Sequence, residues 1–248
     1  MGFFDQYPRF YSTSETSPFP NRLNSRHVAI IERNAEQIKG KSVLDIASHD
    51  GRWAFAALKA GALHVAGIEP RKDLIDNANA TFDEYGIDRR LFDFTCGDAF
   101  DFLKNKQFDV VLCLGFYYHT IRHAELFDLI ERTGAKFVVI DTEVTPSVDE
   151  VLTPAGSDPR IVYGNPNGIQ LLLDPVDSQQ MAFSDSLTRN GYTLVGRPSR
   201  SAVKFMADHF GFSTEVFSWP EFFSKHPENI SSMADYSDGW RDTFFCKR

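Results

Sequence analysis

The chain has 248 residues, a formal net charge of −8 and three scattered cysteines, Cys96, Cys113 and Cys246. That length suits one α/β domain with additions, and the acidic balance argues against broad nucleic-acid binding, which relies on Lys and Arg at phosphates. The cysteines form neither a disulfide framework nor a zinc site, and no run of 18 apolar residues reads as a membrane span.

The first residues, MGFFDQYPRF, lack a charged region followed by an apolar one, so no secretory signal is expected and a cytoplasmic protein is. Residues 1–25 are rich in Pro, Ser and aromatics and read as a loop or lid. Residues 24–38, with Ile30, Ile31, Ala35 and Ile38 at helical spacing, read as a lead-in helix. The expected organisation is therefore a lid and lead-in over 1–38 and one domain over 39–248, with an insertion around 146–197.

Residues 41–71, KSVLDIASHDGRWAFAALKAGALHVAGIEPR, carry the most information. Val43-Leu44-Asp45-Ile46 is the short apolar run of a buried parallel strand. A turn through Gly51 follows, then an apolar helical pattern over 53–59 with Gly61 placed to end it. His64–Ile68 forms a second strand, and Glu69 stands at its carboxyl end. Ligands of open α/β sheets bind at the carboxyl ends of the strands. An acid there accepts hydrogen bonds from both hydroxyls of a ribose, so a nucleoside-containing cofactor is expected. A pyrophosphate needs a Gly-rich turn, whereas this turn has one glycine. Asp45 on the strand before it suits a cationic ligand.

VLDIASHDG followed by VAGIEP resembles the first motifs of the class I S-adenosylmethionine (SAM) dependent methyltransferases, hhDhGxGxG and a ribose-binding acid after the second strand. Two family glycines are replaced, by Ala47 and His49. Ala47 is small enough for close ligand approach; His49 is not, so a different loop shape is expected near the methionine end. The resemblance implies a SAM site lined by Asp45, Ala47, Ser48, His49, Gly51, Glu69 and Pro70. It implies an adenine contact at Gly97, Asp98 and Ala99, after a third strand over 92–99. Leu114 and Gly115, at the end of a fourth strand over 108–115, would face the methyl group. In such enzymes the N-terminal segment often closes over the cofactor, which makes Tyr11 and Arg26 candidates for its carboxylate.

The later elements follow the same family order. Helices are expected over 72–85 and 126–132, and a fifth strand over 137–140. A possible strand over 170–173 lies in the insertion, which is long for a connection and so reads as an acceptor-side wall or a homodimer contact. A helix over 198–210, a strand over 212–219 and a final strand over 240–246 complete the chain. The expected fold class is α/β: a Rossmann-like open twisted sheet of about seven strands, mostly parallel with an antiparallel C-terminal hairpin, flanked by helices.

Acceptor chemistry must come from GFYYHTIRH, residues 115–123. Methyl transfer depends on alignment of donor and acceptor, and a hydroxyl acceptor also needs a base. His119 is the expected general base, since an imidazole suits that task near neutral pH; the alternative is a loop-orienting histidine. Tyr117 and Tyr118 either shape the acceptor pocket or pack. His119, His123, Asp141 and Glu143 are the residues a metal could use, but a hard ion prefers more oxygen donors. The expected site is metal-free, with His123 facing solvent and Asp141 structural. The leading function is O-methylation of a small molecule, a secondary metabolite or sugar. The alternatives are a tRNA wobble-uridine type enzyme, which LGFYYHT distantly resembles, and a non-catalytic SAM-binding scaffold.

Overall fold

The computed structural model describes residues 1–13, 19–145, 167–176 and 185–248. Nine strands are found among the described residues: β1 Ser42–Ile46, β2 His64–Glu69, β3 Phe92–Cys96, β4 Val110–Leu114, β5 Phe137–Glu143, β6 Ile169–Pro175, β7 Tyr192–Pro198, β8 Ser213–Val216 and β9 Arg241–Lys247. Seven of them form one sheet in the order β3-β2-β1-β4-β5-β9-β8, with β6 and β7 paired separately. β1 to β5 run parallel, and β9 is antiparallel to both β5 and β8. The strand order reverses across the sheet between β1 and β4, which opens a crevice at their carboxyl ends.

Alternate strand residues feed two core layers, as the two-residue period of a strand requires. Val43, Val65, Leu112 and Val139 face a layer with Phe55, Phe82 and Trp219. Leu44, Ile68, Val111 and Ile140 face the other, with Leu126, Phe127, Ile130 and Phe244. The helices Arg52–Lys59, Lys72–Glu84, His123–Arg132 and Arg200–His209 match the expected ones within a few residues.

Three segments differ from expectation. Residues 1–13 are packed structure: Phe3–Gln6 and Arg9–Ser12 are short helical turns, and Phe4 and Phe10 are fully buried among Trp53 and Phe55. The aromatic content that suggested a lid serves core packing there. The lead-in helix begins earlier, at Pro20, and passes at Val28–Glu32 into a π-helical stretch. The insertion contributes β6 and also β7, whose Gly196 and Pro198 obscured a strand signal. Residues 146–166 and 177–184 of that insertion lie outside the described residues.

Candidate functional site

The turn after β1 keeps the backbone shape of a glycine-rich loop without the glycines. Ala47 has φ 54° and His49 has φ 53°, the left-handed region that L-residues enter at a cost. Gly51 follows at φ 76°, and a Cβ there would stand 2.8 Å from Phe94. The loop is held from below. Ser48 N donates to Ile68 O at 3.1 Å, and His49 N donates to Glu69 Oε2 at 3.1 Å. Glu69 is buried, and its Oε1 accepts from Arg71 N and Nε. Glu69, expected to receive the ribose, thus stands at the strand end with Arg71 paired to it.

Asp50 also anchors this loop. Burial opposes its ionisation, but Arg52 beside it, with His49 and Thr13, outweighs that and holds its pKa down to about 2. Thr13 Oγ1 donates to Asp50 Oδ2 at 2.5 Å, so the N-terminal segment is tied directly to the loop. Asp45 behaves in the opposite way. Burial pushes its carboxyl up to about 8, against a hydrogen bond from Ala54 N at 3.2 Å. Asp45 Oδ1 and Ser48 Oγ are buried with no hydrogen-bond partner among the described residues. Two orphaned oxygens beside a strained loop fit a ligand that brings donors and positive charge, as the ammonium and sulfonium of SAM do.

The neighbouring strand ends complete the rim. Gly97 N donates to Glu69 O at 3.2 Å, and Cys96 Sγ meets Pro70 O at 3.3 Å. Asp98, expected at the adenine, caps the helix Ala99–Leu103: its Oδ1 accepts from Phe100 N and Asp101 N. Its spacing to that helix, an Asp before an apolar turn, is a capping signal that the strand reading hid. Leu114 and Gly115 end β4, and Gly115, at φ 100°, donates its N–H to Asp141 O at 2.9 Å.

On the far side of the rim, His119 is a quarter exposed and its Nδ1 lies 3.2 Å from Asp174 Oδ2. A carboxylate only accepts, so Nδ1 is the donor of this pair. Asp174 comes from β6, and sequence reasoning missed it because nothing local links the two residues. Tyr118 packs against the His119 ring at 4.1 Å. Tyr117 is a core residue, fully buried and stacked on His123 at 4.4 Å. His123, expected to face solvent, is buried as well. Burial pushes its pKa down to about 4, and its Nε2 bonds Tyr117 O at 2.9 Å. Among the described residues, no group of three His, Cys, Asp or Glu side chains is arranged to hold a metal ion.

Tyr11 and Arg26 were expected together at the cofactor's carboxylate, and they separate. Tyr11 donates to Asp5 at 2.6 Å and accepts from Asn24 at 2.8 Å, so it braces the N-terminal segment. Arg26 crosses to the end of β5, where its Nη2 donates to Asp141 Oδ1 at 3.1 Å. Asp141 also accepts from Arg241 Nε, Tyr236 OH and Thr243 Oγ1. Burial opposes ionisation of Asp141, but Arg241 and Arg26 outweigh it and hold its carboxyl far below the usual range. Arg241, Tyr236 and Thr243 lie about a hundred residues away in sequence and carried no signal there.

Residues 43–135 match the family described as "Methyltransferase domain". No curated protein matches the chain. Among solved structures, a complex described as DhpI with SAM and HEP superposes with a TM-score of 0.57 at 15% identity, over 100% of this chain and 98% of that one. The N-terminal domain of EvdMO1, solved in the presence of SAH and D-fucose, superposes at 0.57 and 18% identity, over 75% of this chain and 73% of that one. The PH0226 protein of Pyrococcus horikoshii OT3 superposes at 0.56 and 16% identity, over 99% of each chain. Residues 43–135 of this chain are thus a methyltransferase domain, and the chain shares its fold with structures solved with SAM or SAH.

Proposed function

We propose that the protein methylates an oxygen of a small-molecule acceptor, with His119 as the general base. The observation that carries this reading is the His119–Asp174 contact at 3.2 Å, at the mouth of the chain segment that leaves β4. SAM supplies an electrophilic methyl group. Around it, Glu69 receives the ribose hydroxyls, with Pro70 beside it, and Gly97–Ala99 edge the adenine. Ala47, Ser48, His49 and Gly51 shape the methionine end, where the carboxyl of Asp45 meets positive charge. Leu114 and Gly115 floor the methyl position. His119 Nε2 would take the hydroxyl proton as the acceptor oxygen bonds the methyl carbon and the carbon–sulfur bond breaks to release a neutral thioether, and Asp174 would stabilise the imidazolium that forms. The described residues of 1–38 serve as the cover of this loop, through the Thr13–Asp50 bond.

The relatives described above with SAM, SAH, HEP or D-fucose support a small acceptor. The net charge of −8 counts against the tRNA alternative. The test is methyl transfer from isotopically labelled SAM to hydroxylated small molecules, followed by His119→Ala. That variant should lose about 10²–10⁴ in kcat, the usual range for a base, with SAM affinity held. A near-normal kcat with raised KM would make His119 a positioning residue only. SAM binding without turnover on any acceptor would favour the scaffold alternative. Turnover should survive chelation; loss in EDTA restored by Mg²⁺ would reopen the metal reading.

A further inference from the structure

The ends of β5 and β9 hold a charge cluster that proton transfer does not use. Asp141, wholly buried, receives Arg26 at 3.1 Å and Arg241 at 2.6 Å; the two arginine side chains are 9% and 8% exposed. Beside them Arg22 makes a two-pronged contact with Asp235, at 2.6 and 2.7 Å. The nearby Arg197 pairs with Glu143, and Arg200 with Asp242. Among the described residues of the cluster, three guanidiniums therefore meet two carboxylates. One positive charge is left over in a setting where uncompensated charge is costly. Arg26 Nε is moreover buried with no hydrogen-bond partner among the described residues. Arg26 also lies over the Trp53 ring at 4.9 Å, which leaves its unpaired Nε as the donor an anion would satisfy in the cluster.

Its position says which side of the reaction that anion belongs to. Glu69 marks the ribose at β2, and β1 and β4 lie between it and β5. The cofactor's methyl group is read at Gly115, at the end of β4, so β5 and β9 lie past it, on the acceptor side. Arg241 also borders the base: its ring partner Tyr118, at 5.4 Å, packs on His119. A Cβ on Gly115 would stand 3.4 Å from Arg241 Nη2, so the guanidinium reaches the methyl position's edge. We propose that Arg26 and Arg241 together bind an anionic group of the methyl acceptor, which is therefore a small hydroxylated carboxylate, phosphate or phosphonate. Planar guanidiniums suit such groups because they offer parallel N–H donors. This inference rests on the methyl-transfer reading for the word acceptor.

The same chemistry would suit the cofactor's own carboxylate, and the experiment separates the two. Wild-type protein is first shown by calorimetry to bind SAH. The SAH-saturated protein is then titrated with methylphosphonate and followed by phosphorus NMR. Saturable binding in the millimolar range is expected, with none for the neutral dimethyl ester. Arg241→Met and Arg26→Met should each weaken it at least tenfold, and Arg241→Lys should weaken it less, since it keeps the charge. SAH affinity should stay within threefold in these variants. No binding to the SAH-saturated wild type, or equal binding by the ester, overturns the proposal even if no variant folds. Binding to the SAH-free protein that SAH then displaces also overturns it, and assigns the cluster to the cofactor. Failure of the wild type to bind SAH at all would bring down the methyl-transfer reading and this one with it. As a second readout, turnover should be found among hydroxy acids and not among their matching carboxamides; turnover confined to the amides overturns the assignment.

Discussion

The two halves of the crevice are built in different ways. Around β1, β2 and β3 the candidate site groups come from one stretch, Asp45 to Ala99, held by backbone bonds such as Ser48 to Ile68 and Gly97 to Glu69. Around β4, β5 and β9 they come from Arg26, His119, Asp141, Asp174, Tyr236 and Arg241, joined by side chains. The first half is a local device, shaped by a turn and a strand end. The second is assembled by folding, and its geometry depends on buried charge rather than on the backbone. A cofactor common to many enzymes can be held by the first kind; an acceptor particular to one enzyme calls for the second.

The sharpest way to break that contrast is Asp141→Ala. It would leave Arg26 and Arg241 buried without their carboxylate, and removing one partner of a buried pair costs about 3–5 kcal/mol. Thermal and denaturant unfolding should show a loss of that size. The sign with pH follows from the direction of the shift. The folded-state value of Asp141 is depressed, so its contribution is complete above the ordinary carboxylate range and is lost only as pH falls through the folded value. Wild-type stability from this group should therefore hold through mildly acidic pH. An Asp141→Ala variant as stable as wild type would mean that the cluster is solvated and that this half of the crevice is not organised by charge.

Next in size is Glu69→Ala in the local half. SAM affinity should fall by about 1.5–3 kcal/mol, because two ribose hydroxyls lose a charged acceptor. Arg71 loses its contact with Glu69 as well, so calorimetry should be accompanied by a melting curve. Unchanged affinity in a well-folded variant would remove the ribose assignment.

Asp45 sharpens the same half through pH. Its folded carboxyl is raised to about 8, so the folded protein holds a proton that the unfolded chain releases above its ordinary range. Stability should therefore decline as pH rises from about 4 towards 8. A cation bound beside Asp45 favours the ionised form, so SAM binding should release a proton. Its affinity should then rise with pH by up to about tenfold per unit below about pH 8. Asp45→Asn should flatten both slopes. A slope that persists in Asp45→Asn would assign the titration to another group.

The smallest expected effect concerns loop strain. Ala47 sits at φ 54°, and relief of a left-handed alanine by glycine outweighs the entropy that glycine adds to the unfolded chain. Ala47→Gly should raise stability by about 0.5–1 kcal/mol. A lower melting temperature would show that the methyl group itself packs in the loop.

What was legible in the sequence was whatever local chemistry dictates. Buried parallel strands need apolar runs, so β1, β2, β4 and β5 were readable from composition and period alone. The strand–turn–helix–strand–acid order located Glu69 and the loop, and the family profile matches that same stretch. The positions of Ala47 and His49 were recognised as glycine sites, and the backbone keeps them in glycine conformations. Neither the pairing of His119 with Asp174 nor the convergence of Arg26 and Arg241 on Asp141 has a local signature. Those contacts join residues 55, 115 and 100 positions apart. Tyr117 and His123 went into the core, and Tyr11 into the N-terminal brace, for the same reason. A side chain's period says which face it takes, but only the docking of distant elements decides whether that face meets solvent, core or substrate.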